Sequence, residues 1–257
     1  MTEALLETRS LCKVFATGQG PGVTALSDIE LRVRPNEFVC IVGPSGCGKS
    51  TLLRILAGLE APSGGSALLK GAEIAGPGRE RGMVFQEYSL MPWRTVEENI
   101  WMGPELSSCS KGDCRRIARE YVDLVKLNGF ERALPHELSG GMRQRVAIAR
   151  ALANDPEILL MDEPFGALDS YTRIVLQKEL LKIWQAHRKT ILFVTHSVDE
   201  AVFLADRVVV MSARPGRIVL EEPLDIPHPR RRDNPVYART LEKILELLED
   251  EQAQPAP

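Results

Sequence analysis

Four short, unbroken apolar runs organise the chain: Phe38–Val42, Ile158–Met161, Ile191–Val194 and Val208–Met211. Runs of four or five apolar residues without polar alternation predict strands covered on both faces, as in a parallel sheet flanked by helices. Helical spacing appears between and after them. Ile117, Tyr121 and Leu124 share one helical face behind Ser110-Lys111-Gly112-Asp113, which reads as a capping box. Leu176, Leu180, Ile183 and Trp184 mark another helix, and Asn234-Pro235 opens a last one through Tyr237, Leu241, Ile244 and Leu248. Strand and helix alternate from Glu157 onward, which predicts an α/β fold with a parallel sheet.

Residues from about 1 to 87 read differently. Strands there are punctuated by glycine-rich turns at Gly18-Gln19-Gly20-Pro21-Gly22, Gly64-Gly65 and Gly76-Pro77-Gly78. The expected organisation is one domain. A core with a β subdomain takes residues 1–87 and 156–225, a helical subdomain takes 88–155, and a helix with a disordered tail takes 226–257. The polar stretch Glu249 to Pro257 carries the disorder expectation.

Two of the apolar runs end in phosphate chemistry. Phe38–Val42 breaks into Gly43-Pro44-Ser45-Gly46-Cys47-Gly48-Lys49-Ser50, followed by a helix from Thr51 to Ala57 that Gly58 stops. Glycines at Gly43, Gly46 and Gly48 let successive N–H groups turn toward an anion, Lys49 supplies a point charge, and Ser50 a hydroxyl for Mg²⁺. Ile158–Met161 ends in Asp162-Glu163, at the strand end where open α/β sheets bind ligands. Asp162 is expected to hold Mg²⁺ through its water shell and Glu163 to polarise an attacking water.

Between them lies Leu138-Ser139-Gly140-Gly141-Met142, then Arg143-Gln144-Arg145. Ser139 is a good N-cap for a helix from about Gly140 to Ala153, and the two glycines leave the first amides clear of side chains, a second anion site.

This pentapeptide resembles the signature of ATP-binding cassette (ABC) ATPases. The resemblance implies a P-loop NTPase with a RecA-like core, an N-terminal antiparallel β subdomain and an inserted α-helical subdomain. It implies that two copies pack head to tail, the signature of one closing on ATP and Mg²⁺ held by the other. Gln86 then resembles the glutamine that senses Mg²⁺ and water, Ala167-Leu168-Asp169 the loop that touches the partner's site, and His196 the histidine on the γ-phosphate. A strand-end histidine taken alone is more often structural than catalytic, and only its position speaks for the γ-phosphate role. Phe15 either stacks on adenine, with Thr51 and the loop holding phosphates, or fills a core position.

The resemblance covers nearly the whole chain. Val84 to Trp93, Glu163 to Asp169, Thr195 to Ala201 and Ala213-Arg214-Pro215-Gly216-Arg217-Ile218 are similar to ATPase subunits of bacterial importers for nitrate, sulfonates and taurine. The partners this implies are permease subunits and, through them, a substrate-binding protein, at the cytoplasmic face of the inner membrane. With Pro257 only 40 positions after Arg217, neither the long C-terminal regulatory domain of sugar-importer ATPases nor the sensor extension of some nitrate-system subunits is expected. Trp101 to Cys109 matches no family pattern. An exporter subunit and a soluble ABC ATPase remain the alternatives. Tyr88, Leu90, Met91, Pro92 and Trp93 either fill the junction between subdomains or line a groove for a permease helix.

Composition adds exclusions. Net charge is −3 over 257 residues, which gives no reason to expect nucleic acid. Arg230-Arg231-Arg232 reads as a solvated loop. Cys12, Cys40, Cys47, Cys109 and Cys114 form no C-x-x-C pair, and their pattern suits a reducing compartment without zinc. Cys47 places a thiol in the phosphate loop, open to alkylation and to protection by nucleotide. No apolar run approaches the ~20 residues that span a bilayer, so a membrane role must come through a partner.

Overall fold

The computed structural model describes residues 4–18 and 22–253. In chain order come β1 (Leu6–Phe15), β2 (Val23–Val33), β3 (Phe38–Val42), α1 (Lys49–Leu56), β4 (Gly64–Leu69), β5 (Ala72–Glu73) and β6 (Arg81–Val84). Then follow α2 (Val96–Ile100), α3 (Met102–Leu106), α4 (Lys111–Leu124), α5 (Gly140–Leu152) and β7 (Ile158–Asp162). The chain closes with α6 (Ser170–His187), β8 (Thr190–Val194), α7 (Val198–Leu204), β9 (Arg207–Met211), β10 (Ile218–Pro223) and α8 (Pro235–Ala253). Two compact bodies result, one formed by the chain up to Gly78 and from Thr190 onward, the other by Arg79–Lys189.

In the first body, β2, β1, β4 and β5 form an antiparallel sheet in that order. A second set of strands runs β10, β9, β3, β8. There β3 is parallel to both β8 and β9, while β10 returns antiparallel on β9. Every residue of β3 and β8 is buried, as their unbroken apolar runs predict, and the Phe38 and Phe193 rings meet at 6.0 Å. Helix α7 packs on β3, and α1 lies against β8 and β2.

In the second body, β6 and β7 pair in parallel, and α5 packs against β6, α2 and α4. The buried face of α4 is Cys114, Ala118 and Val122, one position beyond the expected Ile117, Tyr121 and Leu124, which flank it half-buried. The smaller side chains occupy the centre of the buried face, and the larger ones lie to its sides. Ser110 caps α4 by accepting from the Asp113 amide, but Asp113 takes the Ser110 hydroxyl at 2.8 Å rather than its backbone N–H, so the predicted capping box is only half formed.

Three other expectations are corrected. Helix α1 begins at Lys49, ahead of Thr51, because the turn at Gly48 already points the chain into it. Arg230 is buried and donates to the carbonyls of Ile226, Val202 and Ala205, and the exposed Arg232 forks onto Asp199, so of the triplet only Arg231 reads as expected, an exposed cation paired with its neighbour Asp233. Helix α8 continues through Ala253, into the tail expected to be disordered, because Ile244 and Leu248 anchor its buried stripe. Residues 254–257, and 19–21 of the expected first turn, lie outside the described residues.

Candidate functional site

The carboxyl ends of β8, β3 and β9 meet at one edge, because Ile41 pairs with Val194 and Val42 with Val210 in parallel register. Three segments leave that edge: the Gly43–Ser50 loop from β3, Thr195-His196-Ser197 from β8, and Ser212 to Arg217 from β9. Gly46 and Gly48 adopt positive φ of 76° and 101°, which lets the loop wrap. Glycine is also required sterically at Gly48, since a Cβ there would fall 2.6 Å from Leu26 Cδ2 and 2.8 Å from the Ala25 carbonyl. Helix α1 starts from Gly48 with no side-chain cap. That is the arrangement in which an anion can take the cap's place.

Lys49 is only 5% exposed, and its Nζ donates to the carbonyls of Gly43 at 2.7 Å and Pro44 at 2.8 Å. Its charge is thus held inside the loop. Cys47 is fully buried beside it; burial pushes the thiol up, and the nearby Lys49 ammonium only partly opposes this. The expectation of an alkylatable Cys47 is therefore corrected: a buried thiol held protonated is a poor nucleophile. Pro44, Ser45 and Thr51 occupy the loop and the first turn of α1 as the motif requires.

The turn behind β9 braces the loop. Arg214 donates to the Gly46 carbonyl at 3.3–3.4 Å, and Gly216 accepts from Ser27 and donates to Ala25 at 3.0 Å. A Cβ on Gly216 would sit 2.0 Å from the Cys47 carbonyl. Phe15, at the end of β1, is 40% exposed with Lys13 Nζ 4.9 Å from its ring centre, so the core alternative for it is set aside.

In the second body, Val84 pairs with Met161, so Gln86 and the Asp162-Glu163 pair leave adjacent parallel strands at the same end. Gln86 is exposed and Asp162 buried. Glu163 has φ 42°, a left-handed backbone that costs a non-glycine residue roughly 1–2 kcal/mol. Such strain persists where surrounding structure imposes it, often at functional sites. The Gly166 amide donates to the Glu163 carbonyl at 3.0 Å and closes this turn.

Ser139 accepts from the Met142 amide at 3.3 Å and caps α5 as expected. The glycines have a packing reason besides clearing the amides. A Cβ at Gly141 would lie 2.7 Å from Thr172 Cγ2, and one at Gly140 3.1 Å from the Tyr88 hydroxyl. The signature therefore abuts both the loop after Gln86 and the start of α6, where Asp169 caps by accepting from the Thr172 amide at 3.0 Å.

A family model described as ABC transporter matches residues 26–166. The chain belongs to that family. It is 56% identical to the uncharacterized ABC transporter ATP-binding protein MJ0412 of Methanocaldococcus jannaschii over 96% of this chain and 92% of that protein. It is 48% identical to the aliphatic sulfonates import ATP-binding protein SsuB of Bacillus licheniformis, over 91% of each. With the nitrate import ATP-binding protein NrtD of Synechocystis sp. it shares 51% identity, over 86% of this chain and 83% of that protein. Among solved structures, a dimeric post-hydrolysis state of the ATP-binding cassette MJ0796 bound to ADP and Pi superposes with a TM-score of 0.76 at 33% identity, over 85% of this chain and 98% of that one. The chain is thus an ABC ATPase with the α/β P-loop fold of the cassettes. Among the described residues no helix is long and apolar enough to cross a membrane.

Sequence reading missed how this ABC ATPase fixes the segment behind Gln86. Thr95 and Glu98 form a capping box that starts α2, a signal present in the sequence as Thr-x-x-Glu. Arg150 of α5 donates to the carbonyls of Ser89 at 2.6 Å and Tyr88 at 3.1 Å, and the Arg143 guanidinium lies 5.4 Å from the Tyr88 ring centre. Trp93, at the tip of the same segment, is 73% exposed.

Proposed function

We propose that this cassette is the ATP-hydrolysing subunit of an importer for a small solute of the nitrate, sulfonate or taurine type. The carrying observation is the identity of about half of its residues, over most of the chain, with ATP-binding proteins named for sulfonate and nitrate import. Two copies would clamp two ATP molecules head to tail, Ser139, Gly140 and Gly141 of each closing on the nucleotide of the other. The dimer named for the MJ0796 cassette, bound to ADP and Pi, supports the pairing of two copies. Closure would then move permease subunits at the cytoplasmic face of the membrane, with a substrate-binding protein acting through them.

The loop chemistry fits ATP. Gly43 to Ser50 wraps with inward charge at Lys49, Thr51 continues it into α1, and exposed Phe15 offers a ring for adenine. No cluster of three or more His, Cys, Asp or Glu side chains that could cage a metal exists among the described residues. Mg²⁺ arrives with nucleotide and takes few protein oxygens. Ser50, Asp162 and Gln86 would hold it, and bound there it would neutralise charge on the β and γ phosphates. Glu163 orients and polarises the attacking water, and His196 contacts the γ-phosphate. In this reading residues 1–87 and 156–225 act as the nucleotide-binding core, 88–155 as the signature subdomain, and 226–257 as a C-terminal appendage.

The exposed Trp93 and the half-buried Met91, Leu90 and Tyr88 support the groove reading of their segment over the filled junction. An amphipathic permease helix would lay its anchors there. The test is reconstitution with the permease and binding protein encoded beside this gene. Solute uptake with ATP hydrolysis stimulated by the loaded binding protein is expected. Hydrolysis stimulated only by solute on the cytoplasmic side would indicate an exporter, and a subunit that never associates with a permease would favour the soluble alternative.

A further inference from the structure

His196 lies between β8 and α7, and its neighbours tie it to that helix. Thr195 Oγ1 donates to Glu200 Oε2 at 2.5 Å and accepts from the Ser197 amide at 3.0 Å, while Ser197 Oγ accepts from the Glu200 amide at 3.3 Å. Thr195 and Glu200 are buried, so the three residues 195–197 are fastened to the first turn of α7. Wherever α7 sits, His196 follows.

Helix α7 has only seven residues, too few to be stable by itself, so its position is set by what holds it. The C-terminal segment grips both of its ends. At the first turn, Arg232 forks onto the Asp199 carboxylate with Nη2 at 2.7 Å and Nε at 2.9 Å, and the Tyr237 hydroxyl donates to the same carboxylate at 2.6 Å with the Asp199 carbonyl at 2.9 Å. The Arg232 guanidinium also stacks 4.4 Å from the centre of the Phe203 ring. At the last turn, buried Arg230 donates to the Val202 carbonyl at 2.7 Å and to that of Ala205, at the helix end where carbonyls lack helical partners and a cation is most favoured. A packing interface for α8 would need apolar contact alone. A bidentate fork, a buried arginine and a tyrosine hydroxyl, all directed at one short helix, fix its orientation as well as its distance.

We propose that residues 230–237 form a clasp that sets the position of His196 through α7, making Arg232 and Tyr237 positioning residues for ATP hydrolysis. This rests on the reading of His196 as the γ-phosphate contact. The clasp acts on turnover: its bonds to Asp199, Val202 and Ala205 are all directed at α7 and its end, and the phosphate loop is expected to keep its hold on nucleotide.

The experiment compares Arg232→Ala and Tyr237→Phe in the full chain with His196→Ala and with each change placed in the His196→Ala background. Steady-state Mg-ATP hydrolysis gives kcat and KM, and a fluorescent nucleotide gives Kd. Both clasp variants are expected to lose on the order of 10- to 100-fold in kcat, up to the scale of a group misplaced by about 1 Å, with Kd within about twofold of the starting protein. In the His196→Ala background neither change should slow hydrolysis further, because both act through the same side chain. Arg231→Ala, which breaks only the exposed pair with Asp233, should change nothing. Tyr237→Phe keeps the ring and removes one hydroxyl, so it carries the comparison if Arg232→Ala fails to fold. Unchanged kcat in a folded clasp variant would overturn the clasp while His196→Ala remained slow. Losses that multiply in the double variants, or a Kd that rises as kcat falls, would show ordinary destabilisation. Full turnover by His196→Ala would instead sink the reading of the histidine on which the clasp depends.

Discussion

The side chain of Asn99 closes a ring of two hydrogen bonds with the backbone of Met91: Oδ1 accepts the Met91 N–H at 2.8 Å, and Nδ2 donates to the Met91 carbonyl at 3.2 Å. The same Nδ2 reaches the carbonyls of Arg94 and Thr95 at 3.0 Å. Asn99 is fully buried, so one amide holds the whole turn from which Trp93 projects. Asn99→Ala would leave several of these groups unpaired and should cost about 2–3 kcal/mol. Thermal unfolding checks the loss, and hydrogen exchange should show the Met91 amide opening first. A variant as stable as the starting protein would mean that water replaces the carboxamide.

Rigidity behind an exposed ring is what a docking surface needs, and it motivates a coupling prediction. Trp93→Ala combined with Met91→Ala should leave hydrolysis by the isolated subunit at its starting rate and remove most solute uptake in proteoliposomes. Equal loss of both activities would mean that these side chains stabilise the ATPase itself.

Lys49 holds its charge inside the phosphate loop through the Gly43 and Pro44 carbonyls. Charge-assisted bonds to phosphate are worth about 1.5–3 kcal/mol each, so Lys49→Ala should weaken ATP binding on the order of 10- to 100-fold. Isothermal titration with ATP measures it. Affinity equal to the starting protein's would remove Lys49 from the phosphate site.

Acid should loosen the C-terminal clasp. Burial raises the Asp199 carboxyl, but the bonds from Arg232 and Tyr237 outweigh it and hold the group below its ordinary value. A carboxylate depressed in the folded state stabilises above its unfolded pKa, near 4, and loses that contribution as pH falls through its folded value. The Tm difference between the starting protein and Asp199→Asn should therefore be largest near pH 7 and shrink below about pH 4. A difference that stays constant from about pH 7 down to pH 3 would show that the charge on Asp199 contributes nothing.

How much of this was legible in the sequence varied with the physics. Strands β3, β7, β8 and β9 were legible because burial on both faces leaves an unbroken apolar run. Strand β10 was not, since Ile218, Val219 and Leu220 are only partly covered and the strand hangs on one neighbour. The phosphate loop, the carboxylate pair and the signature could be located because each needs fixed residue types at fixed spacing. Arg230 could not be read, because its partners are backbone carbonyls of Val202, Ala205 and Ile226 that no side-chain pattern betrays. Cys47 was misread as reactive because its position in the loop does not disclose its burial. The Thr95–Glu98 capping box was readable, and α2 went unpredicted only because its five residues carry too little periodicity to draw attention.

The central claim is that Glu163 drives hydrolysis in a nucleotide-sandwiched pair of cassettes. Glu163→Gln keeps the side-chain volume and removes the charge that polarises water, so it should abolish turnover while ATP still binds. Size-exclusion chromatography of this variant at saturating ATP and Mg²⁺ tests the claim most directly. The account predicts a stable dimer that reverts to monomer when nucleotide is removed; a variant that remains monomeric with ATP bound would contradict it.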